Sequence, residues 1–98
     1  MKKSERKAAK KYVISGRVQG VGYRFFAEGW ANRLGIRGYV KNLWDGNVEV
    51  YAIGNEVSLD EFKRHLEQGP RSARVCGVEE FDEPVNDRYD SFMIEGAW

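Results

Sequence analysis

The chain has 98 residues, one cysteine and a formal net charge of +1, which bounds it at one domain and excludes both a disulfide framework and a Cys/His zinc site. No apolar run approaches the roughly 20 residues of a membrane span, and the basic opening is not followed by the apolar stretch of a secretory signal; a cytoplasmic protein without metal or cofactor is expected. The charge is uneven: residues 1–11 hold six basic groups against Glu5, leaving +5, while the remaining ten basic and fourteen acidic residues leave −4.

In chain order, residues 1–10 read as a basic, flexible, solvated tail ahead of a single domain over 11–98. Such an arm can also touch nucleic acid or membrane surfaces. Lys11 to Val18 alternates as a first strand, with Tyr12, Ile14 and Val18 on one face and Val13, Ser15 and Arg17 on the other. After a glycine-rich stretch from Gly16 to Gly22, the spacing predicts a helix from about Tyr23 to Leu34. Phe26, Trp30 and Leu34 recur every four residues there, with Ala27 and Ala31 beside them. Gly35 stands where a left-handed C-cap belongs. Gly29 in mid-helix costs roughly 1 kcal/mol against alanine, which close packing at that point would offset.

Ile36 to Leu43 and Val48 to Ile53 read as two strands joined by a hairpin at Asp45-Gly46, a pair that tolerates positive φ. Four residues, Trp44 to Asn47, are available for the connection, so the turn type stays open. A second helix is expected to start at Ser58 as N-cap, with Glu61 closing a capping box and Val57 stapled to Phe62. Leu59, Phe62 and Leu66 form its buried stripe, and Gly69-Pro70 ends it. A fourth strand follows from about Ala73 to Phe81, with Ala73 and Val75 on one face and Arg74, Cys76 and Val78 on the other. Pro84 to Asp87 turns the chain, and Phe92 with Ile94 marks a short last strand. This order is that of an α+β, ferredoxin-like βαββαβ two-layer sandwich: an antiparallel sheet with two helices on one face, and a short fifth strand at the C-terminus.

The stretch GRVQGVGYRFF, Gly16 to Phe26, joins a strand to a helix start and carries three glycines and two arginines, Arg17 and Arg24, before the two phenylalanines. Free backbone N–H groups at a helix start attract anions, and glycine lets an anion approach closely. Arg24 adds a planar, permanently charged fork suited to phosphate oxygens. Better-known phosphate loops do not fit. There is no Gly-Lys followed by Ser or Thr, and the third glycine of a dinucleotide fingerprint is replaced by Phe25. On these residues alone, a phosphate seat and a plain glycine-rich connection with a surface arginine stand level.

GRVQGVGYR closely resembles the signature loop of the acylphosphatases. GYVKNLWDGNVEV, Gly38 to Val50, resembles that family's second block, an asparagine at the end of strand two followed by an Asp-Gly hairpin and a Val-Glu-bearing strand. The similarity runs from about Tyr12 through Ile94. It implies a small cofactor-free hydrolase that cleaves acyl phosphates to a carboxylate and inorganic phosphate. By the same resemblance, Arg24 binds the phosphoryl group with the backbone amides of Val21, Gly22 and Tyr23, and Asn42 holds the attacking water. Tyr23 stands where the family often has phenylalanine, a change expected to leave catalysis intact. A small-molecule acyl phosphate is the expected partner of a monomer, with no role for a membrane.

The remaining residues that invite chemistry read more plainly as structure. His65 is expected to be solvated on the second helix, Cys76 to be a small buried apolar residue, and Trp30 to be core. Trp44 either lines the acyl side of the pocket or covers the sheet edge. The C-terminal carboxylate of Trp98 is a candidate partner for a cation such as Arg24. The competing function is a non-catalytic ferredoxin-like module binding RNA or regulating a protein partner. Arg37-Gly38-Tyr39 opens like an RNA-binding signature, but the next three positions miss it and it falls on the second strand rather than the third. A matching set of sheet-face aromatics is not evident either.

Overall fold

The computed structural model describes residues 6–96. It contains β1 (Lys7–Arg17), α1 (Tyr23–Leu34), β2 (Arg37–Asn42), β3 (Val48–Asn55), α2 (Glu56–Gln68), β4 (Arg74–Glu83) and β5 (Phe92–Glu95). The five strands form one sheet in the order β4-β1-β3-β2-β5. Every pairing is antiparallel except the last: β5 lies parallel to β2, with Gly38 opposite Phe92 and Lys41 opposite Glu95. The final strand therefore departs from the antiparallel sheet expected. Its chain returns across the sheet from β4 at one edge to β2 at the other.

Both helices cover one face. Tyr12 and Ile14 of β1, Val40 of β2, Val48, Val50 and Ala52 of β3, and Phe92 of β5 pack there against Tyr23, Ala27 and Ala31 of α1 and Leu59, Phe62 and Leu66 of α2. Phe62 is fully buried and meets Tyr12 and Phe92 edge to face. Burying a side chain of that size contributes about 1.5–3 kcal/mol. The α2 stripe is as expected, but the α1 stripe is rotated. Tyr23, Ala27 and Ala31 face the core, while Phe26, Trp30 and Leu34 flank it half-buried. Two alanines at the centre let the helix approach the sheet closely, and the larger side chains spread to its sides.

Gly29 gains no such compensation: it is exposed, and an added Cβ would meet nothing within 4 Å. Gly29→Ala is therefore expected to stabilise the protein by about 0.5–1 kcal/mol, read as a raised midpoint in urea with unchanged slope. Gly35 adopts the left-handed cap at φ 70, with Ile36 N–H donating to the Ala31 carbonyl at 2.8 Å.

Two boundaries and the facing of one strand differ from the sequence reading, each for a local reason. β1 begins at Lys7, not Lys11, because residues 7–10 pair with Ala52 to Asn55 on one side and Ala9 and Lys10 with Glu83 and Asp82 on the other. Lys7 to Lys10 thus belong to the sheet and not to a tail; residues 1–5 of the expected tail lie outside the described residues. α2 starts at Glu56 under Asn55, whose side-chain oxygen accepts from Ser58 N–H at 2.8 Å. Ser58 is thus the third residue of the helix rather than its cap, and Val57 is exposed instead of stapled. In β4 a bulge leaves Cys76 without an opposite residue, since Ser15 pairs with Gly77 and Gly16 with Val75. The bulge reverses the alternation. Val75 and Val78 share the core side, and Cys76 is exposed rather than buried. Gly16 is what permits it: at φ 121 its missing Cβ would stand 2.1 Å from the Arg74 carbonyl oxygen.

Lys10 Nζ lies 2.7 Å from Asp82 and 2.9 Å from Glu80, and Lys63 of α2 reaches Glu80 at 2.9 Å. Hydrogen bonds from Lys10 and then Lys63 hold the Glu80 carboxyl below its ordinary value of 4.5. A depressed carboxyl contributes stability that is present above the unfolded value and lost as pH falls through the folded one. Glu80→Gln is expected to flatten the acid limb of a Tm-against-pH curve below about pH 4.5. The effect is modest because the groups are partly solvated.

Candidate active site

The glycine-rich segment between β1 and α1 is braced on both sides. Gln19 donates through Nε2 to the Leu43 carbonyl at 2.8 Å and the Asn47 carbonyl at 2.7 Å, fixing the segment to the β2–β3 hairpin. On its other side Ser72 Oγ donates to the Val21 carbonyl at 2.9 Å. The hairpin itself closes with Leu43 N–H on the Asn47 carbonyl, and Asp45 accepts from Asn47 N–H.

Gly22 is the N-cap of α1, at φ 80 in the left-handed region, and makes no side-chain capping bond. The first turn of α1 contains no acidic residue. The first helical bond is Phe26 N–H to the Gly22 carbonyl, so the amides ahead of it have no carbonyl one turn back to bond. The helix start is thus a positive end with no acidic residue in its own first turn to neutralise it. Tyr23, the first residue, is 1 % exposed, and its hydroxyl donates to the Leu66 carbonyl at 2.7 Å. That carbonyl belongs to the last turn of α2, where no intrahelical donor remains. The phenol therefore caps one helix while anchoring the start of the other, and its burial pushes its pKa well above the ordinary value.

A cavity of about 180 Å³ opens at this helix start, lined by Val18, Gly20, Gly22, Tyr23, Arg24, Phe25 and Asn42. Arg24 is half-buried on the first turn of α1. Its guanidinium meets the Glu95 backbone carbonyl at 3.4 Å, at the end of β5. No carboxylate among the described residues pairs with it. Asn42 arrives from the sheet. In β2 the alternation buries Gly38, Val40 and Asn42 on the helix side, and Asn42, the last of them, is 6 % exposed. The strand period therefore brings a buried amide to the mouth of the same cavity as the arginine.

Of the residues singled out in the sequence, Gly22, Tyr23, Arg24 and Asn42 line one cavity. Val21 is not among the lining residues; its side chain packs on the core and its carbonyl is held by Ser72. Sequence reasoning missed Phe25, 73 % exposed at the cavity rim, and the bracing role of Gln19. Gln19 left one signal, a two-donor amide between glycines, but its acceptors lie 24 and 28 residues away.

The other candidates fall elsewhere. His65 is half-buried rather than solvated: it stacks on Trp30, ring centres 3.4 Å apart, and lies 3.7 Å from Glu61. Trp30 is a flanking residue shared with Arg33, whose guanidinium sits 4.9 Å from the ring. Trp44 is 91 % exposed and is not among the residues lining the cavity; the strand it follows, β2, is not a sheet edge, since β5 pairs with it. Trp98 lies outside the described residues.

The open sheet face does carry aromatics, contrary to expectation. Tyr39, Tyr51 and Tyr89 meet there with ring centres 5.6–5.7 Å apart. The chain itself occupies this platform: Tyr51 is 7 % exposed, donates to the Pro84 carbonyl and accepts from Asn86 N–H. Stacked bases would have to displace that segment. Among the described residues no group of His, Cys, Asp and Glu is arranged to hold a metal, and no helix is long and apolar enough to cross a membrane.

Comparison with known proteins shows the family of the chain. The acylphosphatase family model matches residues 10–94. The chain is 43% identical over 95 residues to an acylphosphatase of Koribacter versatilis, covering 97% of this chain and 86% of that protein. It is 57% identical over 67 residues to one of Thermus thermophilus, covering 68% and 76%. Among solved structures it resembles an acylphosphatase from Coxiella burnetii with a TM-score of 0.86 at 34% identity, over 91% of this chain and 93% of that one.

Proposed function

The chain belongs to the acylphosphatase family, enzymes that hydrolyse acyl phosphates, and from that premise we propose that Arg24 and the loop amides of Val21, Gly22 and Tyr23 seat the phosphoryl group while Asn42 orients the attacking water. The observation that carries this reading is the convergence of an arginine without an acid partner among the described residues, an acid-free helix start and a buried asparagine on one cavity.

The chemistry asks for little more. Hydrolysis expels a carboxylate, whose conjugate acid has a pKa near 4, so the leaving group departs without a general acid. What remains is to hold the phosphoryl oxygens, place water in line and stabilise charge as it spreads over those oxygens. The Arg24 fork and the amides of the helix start supply the positive end. Asn42 is too weak a base to deprotonate water, and a phosphate oxygen of the substrate accepts that proton. The 180 Å³ cavity suits a phosphoryl group plus water. The acyl part then projects past Phe25 toward solvent, which predicts tolerance of varied leaving groups.

The test is hydrolysis of benzoyl phosphate in excess EDTA, followed by loss of ultraviolet absorbance. Rapid turnover insensitive to EDTA is expected. A background rate, or a rate abolished by EDTA, would overturn the metal-free mechanism.

A further inference from the structure

Arg17, Arg71 and Arg74 line a second concavity, of about 310 Å³, with Ser72 and Ala73. No carboxylate among the described residues lines it, and none of the three arginines makes an ion pair or a hydrogen bond from its side chain to any other described residue. Arg17 and Arg74 stand directly opposite each other across β1 and β4, where like charges repel. The other end of the same strand pair follows the opposite rule, with Lys10 opposite Asp82 and bonded to it. Arginine stays charged at any accessible pH, so proton loss cannot relieve the repulsion. The arrangement also sits on the part of the chain that carries a net −4, so general basicity does not account for it.

The concavity is linked to the candidate active site through the chain. Arg17 precedes Val18, which lines the first cavity, and Ser72 holds the carbonyl of Val21 in the intervening loop. We propose that Arg17, Arg71 and Arg74 form a second anion site, separate from the seat at Arg24, for a small ligand of the phosphate class. Three planar forks offer more donors than one phosphate group has oxygens, and an anion there neutralises the Arg17–Arg74 repulsion. An occupant orders the 71–74 turn and, through Ser72, the loop that begins α1. The phosphate group has two sources, free inorganic phosphate or a second phosphoryl group on the substrate.

The experiment is a titration of the nitrogen-15-labelled protein with inorganic phosphate, with sodium chloride at matched ionic strength as control. Wild type, Arg24→Ala, and the double variant Arg17→Ala/Arg74→Ala are compared. Arg24→Ala is expected to keep a saturable response at residues 17 and 71–74 while losing that at 20–24. The double variant should show the reverse, with phosphate affinity at 17 and 71–74 weakened about tenfold or more. All three arginines are exposed, so the fold should survive; Arg71→Ala is a second variant with the same expected loss. No response at 17 and 71–74 in Arg24→Ala, or an equal response to chloride, overturns the second site. A response at 20–24 that persists in Arg24→Ala counts instead against the seat proposed at Arg24. Kinetics of Arg71→Ala separate the sources. A raised KM for an acyl phosphate bearing a second phosphoryl group, with benzoyl phosphate unchanged, assigns the site to the substrate. Unchanged KM for both substrates, with the wild-type phosphate response in place, assigns it to the free anion.

Discussion

Arg24→Ala is expected to lower kcat toward benzoyl phosphate about 10³-fold, the scale on which a charge-stabilising arginine acts in phosphoryl transfer. Little else should change, because the side chain is only half-buried and its one hydrogen bond among the described residues, to the Glu95 carbonyl, is long at 3.4 Å. A Tm close to wild type is therefore part of the expectation. Arg24→Lys should recover only a small fraction of the lost rate. An ammonium supplies the charge but not two parallel donors, and it is more strongly hydrated than a guanidinium. Activity within a few-fold of wild type in either variant would remove Arg24 from the mechanism.

Asn42→Ala should separate turnover from anion binding. If the amide orients water, kcat falls about 10²-fold or more, while inorganic phosphate still inhibits competitively with its inhibition constant near the wild-type value. On the proposed assignment the anion is held by Arg24 and the helix start, which the substitution leaves in place. Because Asn42 is 6 % exposed, truncation also opens space in the sheet, so the variant's urea midpoint belongs beside its kinetics. Loss of phosphate inhibition in a stably folded variant would show that Asn42 supports the loop rather than the water. Asn42→Asp, which keeps the shape, should weaken phosphate binding by placing a like charge against the anion.

The two proposed side chains were legible because each belongs to a short continuous motif. Arg24 follows a run of glycines that can only be a tight connection before a helix, and Asn42 closes a strand just before an Asp-Gly turn. The span of α1, the hairpin and the Leu59-Phe62-Leu66 stripe were legible for the same reason: their periods are written into consecutive residues. Where two local signals competed, the reading went astray. Ser58 with Glu61 makes a plausible capping box, yet Asn55 three residues earlier caps the helix because β3 runs that far in pairing with β1.

By itself, then, the sequence determined the order of elements, since dihedral freedom and side-chain period are properties of neighbouring residues, and its two continuous motifs carried the resemblance to the family. The tertiary structure alone decided which distant groups meet. It put Gln19 on the hairpin carbonyls, Tyr23 on the end of α2, Arg24 beside Glu95, and Arg17 opposite Arg74. It also placed β5 parallel to β2 and turned Cys76 outward through a bulge at Gly16. Pairing and register across a sheet depend on strands separated by tens of residues. A one-residue bulge reverses every side chain beyond it, and no local periodicity encodes that shift.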